Sequence, residues 1–295
     1  MDRTHHMRGG LFLGIGAYAI WGLLPLYLRL LREVPSGQVL AHRVVWSLLL
    51  LLGVVLVMRR GGAILRAARG RTLALLCASA VLIAINWLVY IWSVQHGHVL
   101  EASLGYFINP LVNVALGLIV LRERIAPVQA VAVAVAAVGV VILGIDGVSS
   151  GGGALWISLT LALSFGGYGL IRKVAAIDAL GGLTVETALL LLPSLGVIAF
   201  AQAGGTGAFG HDHRLDLLLI LAGVVTAVPL LLFAAAARRL RYSTMGLLQY
   251  IAPTLQFLEA VLLFREPLRP VHLVTFALIW LGCAIYAIGA RRPPA

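Results

Sequence analysis

Arg43 in AHRVVW, Glu186 in LTVETALLL and Glu259 in LQFLEAVLL each stand inside a long apolar run. An ionisable side chain at the centre of a membrane helix costs about 2.5–3.5 kcal/mol on insertion scales, so each of the three needs a reason. Arg43 has no acid three or four residues away. Its counterpart must be another helix, a backbone carbonyl, a lipid phosphate or a substrate carboxylate. Glu186 lies at the matching depth of its own run, and an Arg43–Glu186 ion pair is one arrangement; a purely structural pair or a snorkelling arginine is the other. Glu101, in HVLEASLGYF, opens a helix, where the dipole favours an acid. It also stands beside His96 and His98, a setting that suits a gate or a proton site. Glu101, Glu186 and Glu259 are the proton-coupling candidates.

Uncharged polar and aromatic residues recur in the same runs. Asn109 and Asn113 are four apart, hence on one helical face. Pro110 between them removes a backbone donor and predicts a kink, and Pro253 predicts the same further along. Such interruptions near mid-membrane are where transporters expose backbone to substrate, and proline kinks are also ordinary structural features. The candidate substrate-binding set is Arg43, Glu186, Trp21, Asn86, Trp87, Tyr106, Asn109, Asn113, Tyr168, Gln249 and Tyr250.

The parts of a catalytic site are missing. No HExxH or GxxxxGKS occurs, and the GVSSG at 147–151 lies in a run of glycine and serine between apolar runs and not at a strand-to-helix turn. His211, Asp212 and His213 are adjacent but have no fourth ligand nearby, so no metal and no other cofactor is expected. Cys77 and Cys283 sit singly in apolar runs and read as packing residues.

The elements that must position these residues follow from composition. The 295 residues are 61% hydrophobic and 11% charged, with mean hydropathy +1.02. A soluble domain has roughly 25% charged residues. The apolar excess recurs in lengths of about 20, enough to cross a bilayer core. The expected fold is an all-α membrane protein with ten spans near 10–30, 37–58, 73–94, 102–121, 126–145, 154–172, 183–202, 215–236, 243–264 and 270–290. Residues 203–216, rich in glycine, read as a flexible loop. The net charge of +11 arises mostly between the spans, which points to topology and anionic lipid headgroups and not to nucleic acid. Sixteen Lys and Arg fall on the side of the termini, five on the other, and Arg43 completes the 22. Both termini are therefore expected in the cytoplasm, with no cleaved signal peptide. The fifth span is nearly all small and aliphatic; it reads as a packing or lipid-facing helix, with a homodimer contact as a further use.

The chain also repeats itself. Pro110, Arg122, Glu123, Pro127 and Gly139 recur at an offset of 143 as Pro253, Arg265, Glu266, Pro270 and Gly282. Earlier positions match at 144: Gly22 with Gly166, Arg29 with Lys173, His42 with Glu186. The unit is five helices, used twice, 1–147 and 148–295. An odd number of crossings inverts the second copy, and inverted halves can exchange conformations to open a central site to either side. A duplication that merely built a stable bundle is the plainer alternative.

These features resemble the drug/metabolite transporter superfamily, EamA branch, and within it the RarD group. The resemblance is carried by YAIWGLLPLY (18–27), HRVVWS (42–47), NWLVYIWSV (86–94), EASLGYFINPLVN (101–113), YGLIRK (168–173), ET (186–187) and QYIAPTLQF (249–257), nearly the whole chain. It implies a multi-pass permease or exporter of small metabolites in the cytoplasmic membrane of a bacterium, with a cavity between the halves. One departure matters. Small multidrug exporters of that superfamily use a first-helix glutamate, whereas Leu11 to Leu28 holds no carboxylate. The leading expectation is alternating-access transport of a small metabolite such as an amino acid. A drug or lipophilic-cation exporter is the alternative, and a lipid scramblase or membrane scaffold stands behind both.

Overall fold

The computed structural model describes residues 2–120, 122, 127–149, 155–237, 239–240 and 248–289. Glu123 of the first Arg-Glu motif and residues 243–247 of the ninth expected span lie outside them, as do the side chains of Pro110 and Cys283.

The described chain is helical, with no strand among the described residues. Its α-helices are α1 (Asp2–Gly22), α2 (Leu24–Leu30), α3 (Ser36–Val57), α4 (Gly61–Ala67), α5 (Gly70–Gln95), α6 (Val99–Ile119), α7 (Pro127–Ser149), α8 (Leu155–Val174), α9 (Ala179–Ala203), α10 (His213–Ala237), α11 (Ile251–Leu258) and α12 (Pro270–Gly289). A π-helical turn, Glu259–Leu263, continues α11. Among the described residues, six segments are long and apolar enough to cross a membrane, and α6, bent by 40° between Val99–Asn109 and Leu111–Ile119, makes a seventh if it is taken as one span. Three shorter apolar stretches, Ala130–Asp146, Ile251–Leu263 and Pro270–Gly282, complete the apolar helices. This is a multi-pass membrane protein.

Local chemistry explains the breaks. The first span divides at Leu23, two residues before Pro25, which cannot donate to the ladder. The bend of α6 falls at Pro110, where a kink is expected. Pro253 behaves differently from expectation. It sits in the first turn of α11, where no intrahelical donor is required, and the break lies just before it, in the turn at Gln249–Tyr250 that separates residue 248 from α11. A second irregularity of that span is the π turn beginning at Glu259. Asp178 starts α9 by accepting from the Gly181 amide at 2.9 Å.

Glycines set how closely the helices approach. A Cβ on Gly22 would lie 2.6 Å from Leu255 Cδ1, and one on Gly166 would lie 2.6 Å from Val112 Cγ1. Gly105 packs on the Ser158 backbone, and Gly14 packs on Leu248. α7 and α12 meet through Gly139 against Thr275 and Gly282 against Ala132. Arg122 and Arg265, the two arginines of the duplicated motif, both adopt left-handed backbone, with φ of 53° and 54°. That conformation is uncommon outside glycine and a few polar residues.

α3 and α9 run antiparallel, because contacts tie both ends. At one end Gln38 Nε2 donates to the Thr206 carbonyl (2.9 Å); at the other Arg60 pairs with Asp178 (2.5 Å). The glycine-rich 203–216 segment is not the free loop expected. It folds back on α3: the Ala208 amide donates to Gln38 Oε1, and Phe209 stacks on His42, ring centroids 5.3 Å apart.

Candidate functional site

Arg43 is 5% exposed and lies in the middle of the packed helices α3, α5 and α10. Its Nε donates to Thr226 Oγ1 of α10 at 2.5 Å, and its guanidinium carbon sits 4.6 Å from the centroid of Trp87 of α5. Nη1 is buried without a hydrogen-bond partner. Thr226 can accept because its own proton goes back to the Ala222 carbonyl (2.7 Å). The Tyr27, Tyr90 and Tyr106 phenols are the titratable groups around Arg43. Arg43 is therefore a held cation with donor capacity left over, set against aromatic rings.

Two expected site residues brace this aromatic wall. Tyr106 donates to Asn86 Oδ1 (3.1 Å), while Asn86 Nδ2 donates to the Leu161 carbonyl and to Ser164 Oγ, both at 3.1 Å. Asn86 is thus engaged on both ends of its amide. Tyr90 meets Tyr106 edge-on at 5.6 Å, and Tyr106 meets Phe165 at 6.0 Å.

Glu186 does not meet Arg43, so of the two arrangements considered the Arg43–Glu186 ion pair is not formed. Each is the seventh residue beyond the start of its helix, Ser36 or Ala179. At 1.5 Å per residue each lies roughly 10 Å from its own end. Since α3 and α9 are antiparallel, those ends are opposite. Matching position in the sequence therefore means mirrored depth in the bundle. Glu186 is fully buried and accepts from Ser79 Oγ (2.5 Å) and Tyr168 OH (3.4 Å), with Arg172 Nη1 at 3.8 Å. Arg172 also donates to the Asp178 carbonyl (2.9 Å), which joins this cluster to the Arg60–Asp178 end. Gly182 gives Arg172 its room: a Cβ there would fall within the guanidinium.

The remaining candidates are dispersed. Trp21 packs with Tyr18 and Phe233, and its carbonyl accepts from Gln256 Nε2 at 3.1 Å. Tyr250 stacks on Phe107 at 6.2 Å. Gln249 is half-buried. Asn109 is buried with Oδ1 unpartnered, whereas Asn113 is exposed beside Gly166. The bend between them undoes the common face expected from their spacing. Glu101 lies 3.6 Å from His98 Nδ1 at the end of the bundle where Glu266 accepts from the Val99 and Leu100 amides. Glu259 is 4% exposed, and neither carboxylate oxygen has a partner. No metal-competent cluster of His, Cys, Asp or Glu occurs among the described residues. A groove of about 550 Å³ between Pro35, Gln38, Pro193, Val197 and Phe200 includes none of the candidate residues.

Thr226, Tyr90, Ser79 and Arg172 take part in these clusters without belonging to the candidate binding set. Thr226 is a lone hydroxyl in an apolar run three residues before Pro229. Ser79 looks like any small helix-packing residue, and only its contact with Glu186 distinguishes it.

The pattern of the EamA-like transporter family matches residues 8–145. An uncharacterized transporter of Pseudomonas aeruginosa is 46% identical over 98% of this chain and 96% of its own length. Protein RarD of Escherichia coli is 44% identical over 96% of this chain and 95% of its own. The chain belongs to the EamA family, in its RarD group. A second P. aeruginosa member, named chloramphenicol-sensitive protein RarD, is 37% identical over 96% of this chain and 95% of its own. A solved crystal structure superposes with TM-score 0.63 over 96% of this chain and 99% of that one at 17% identity, so the fold is shared. This EamA protein is a transporter, and its RarD relatives match it over nearly its whole length.

Proposed function

We propose that this protein is a secondary transporter that carries a small metabolite such as an amino acid across the bacterial cytoplasmic membrane, by alternating access between two inverted five-helix halves, 1–147 and 148–295. Both termini are cytoplasmic. The pairing of packing contacts supports the inverted repeat. Gly22 against Leu255 becomes Gly166 against Val112 when 144 is added to the first number and 143 subtracted from the second. Gly14 against Leu248 becomes Ser158 against Gly105 in the same way, and with 143 both added and subtracted Gly139 against Thr275 becomes Gly282 against Ala132. A contact that maps onto another contact when the halves are exchanged is the mark of a two-fold relation. Arg122 and Arg265 share their left-handed φ for the same reason. Such halves can interconvert by rocking about a fixed central site.

The observation that carries the substrate reading is Arg43: buried, braced by Thr226 and Trp87, with a donor unspent. It is the receptor for a substrate carboxylate. Of the three carboxylates considered for proton coupling, Glu186 already has three partners, which fits a bracket joining α5, α8 and α9. Glu101 beside His98 and the unpartnered Glu259 retain that reading. The aromatic wall and the chloramphenicol-sensitive name of one relative favour drug export as the second reading. Purified protein in liposomes, offered labelled amino acids with and without a pH gradient, tests the first. Saturable uptake lost in Arg43→Gln supports it. Uptake of lipophilic drugs alone, indifferent to Arg43, supports the second.

A further inference from the structure

Among the described residues, three buried side chains on α6, α11 and its π turn present four oxygen acceptors without a donor. Both oxygens of Glu259 are unpartnered, as are Gln256 Oε1 one turn before it and Asn109 Oδ1 on α6, the helix packed against α11; the three residues are 4%, 2% and 3% exposed. The Tyr90 hydroxyl, 3% exposed, is unpartnered too. An uncompensated carboxylate in such surroundings is costly, and natural proteins keep one where a ligand or counterion completes it. Glu259 also opens the π turn, where the Phe264 amide reaches back five residues to the Glu259 carbonyl (2.8 Å). π turns inside α-helices occur frequently at functional sites.

The Arg43 site reaches α6. Trp87, on whose ring the Arg43 guanidinium lies at 4.6 Å, stands one turn before Tyr90 on α5, and Tyr90 meets Tyr106 of α6, one turn before Asn109, with ring centroids 5.6 Å apart. Tyr90 and Ala260, the residue after Glu259, belong to one buried core cluster. A cation with a spare N–H and a carboxylate with two spare oxygens thus stand on helices joined through the Tyr90–Tyr106 contact.

We infer that Glu259 is the ammonium-binding pole of the substrate site whose carboxylate-binding pole is Arg43, and that the substrate is a zwitterion bearing an amine and a carboxylate. This rests on the reading of Arg43 as a carboxylate receptor. The donor count fits. An ammonium offers three N–H groups, and Glu259 with Gln256 offers acceptors that the protein does not fill. A substrate with only one of the two charges leaves the other pole buried and unpaired, and a site built on such groups rejects ligands that lack them.

The test uses the full chain in liposomes, preloaded with unlabelled neutral L-amino acids and assayed for counterflow of the labelled pool. Competitors are the free amino acids, their N-acetyl derivatives and their methyl esters. Free amino acids compete at least about tenfold better than either blocked form. Glu259→Gln loses that preference over N-acetyl derivatives together with most of the flux, Glu259→Asp restores part of it, and both elute as folded protein. Wild-type flux in Glu259→Gln, or N-acetyl derivatives competing as well as free amino acids, overturns the two-pole site and leaves the transporter reading intact. Flux of lipophilic cations with none of amino acids overturns both the site and the role given to Arg43.

Discussion

Arg43 Nε donates to Thr226 Oγ1 across 2.5 Å, from α3 to α10. This bond aims the guanidinium at the aromatic wall and leaves Nη1 free for a ligand. Hydrogen bonds to charged groups contribute about 1.5–3 kcal/mol. Thr226→Val keeps the shape and removes the acceptor. It raises the KM for substrate roughly tenfold or more, with little change in unfolding temperature. Initial-rate uptake over a range of substrate concentrations reads the change.

Gly22 and Gly166 test the two-fold relation. Each admits the side chain of another half, Leu255 or Val112, at a distance no Cβ allows. Valine at either position forces the helix pair apart, at a cost of about 1–3 kcal/mol for overpacking. The two variants lower the unfolding temperature in detergent by similar amounts. A large loss in one and none in the other contradicts equivalence of the halves.

Gly182→Ala displaces the Arg172 guanidinium and strips Glu186 of its cation. Removing one partner of a buried pair costs roughly 3–5 kcal/mol. Gly182→Ala is therefore destabilised, and adding Glu186→Gln restores part of the loss, because the carboxylate no longer needs a cation. Thermal unfolding of the single and double variants forms the cycle.

Asp178 lies at the end of the bundle and ties α9 to Arg60. Burial pushes its carboxyl upward, but the Gly181 amide and the Arg60 guanidinium outweigh burial and hold it below its ordinary value. A depressed acid contributes stability above its unfolded value of 3.8 and loses it as pH falls through the folded value. Both partners are more than a third exposed, so the contribution stays under about 1 kcal/mol. Asp178→Asn keeps the cap and removes the charge. Its unfolding temperature is lower than wild type at pH 7, and the difference closes as pH drops below 3.8.

The orientation is open to direct labelling. In a background without Cys77 and Cys283, cysteine at Gly62 in α4 is cytoplasmic and cysteine at His211 is outside. A membrane-impermeant maleimide added to intact cells labels position 211 and not position 62.

The apolar runs, their ends and the duplicated motif were readable in the chain because each is written in local composition. Arg43 stood out as a charge without a local partner, and it lies buried in the bundle with a donor to spare. Its partner was not readable. Position seven in each of α3 and α9 looks equivalent along the sequence, yet antiparallel packing puts the two residues at mirrored depths. Asn109 and Asn113 share a face only on a straight helix, and α6 is bent. Ser79 and Thr226 carry no signal in one sequence, because a hydroxyl in a membrane helix usually bonds to its own backbone. Glu259 differs from Glu186 only in what surrounds it, which a sequence does not state.

The most direct test of carriage by alternating access is counterflow. Liposomes holding the wild-type protein are preloaded with unlabelled amino acids at high concentration, and uptake of trace labelled amino acid is followed. A carrier that exposes one site to each side in turn accumulates label transiently above equilibrium, and Arg43→Gln abolishes the overshoot while remaining folded. Label that enters only to equilibrium, at a rate independent of the preload and of Arg43, contradicts the account.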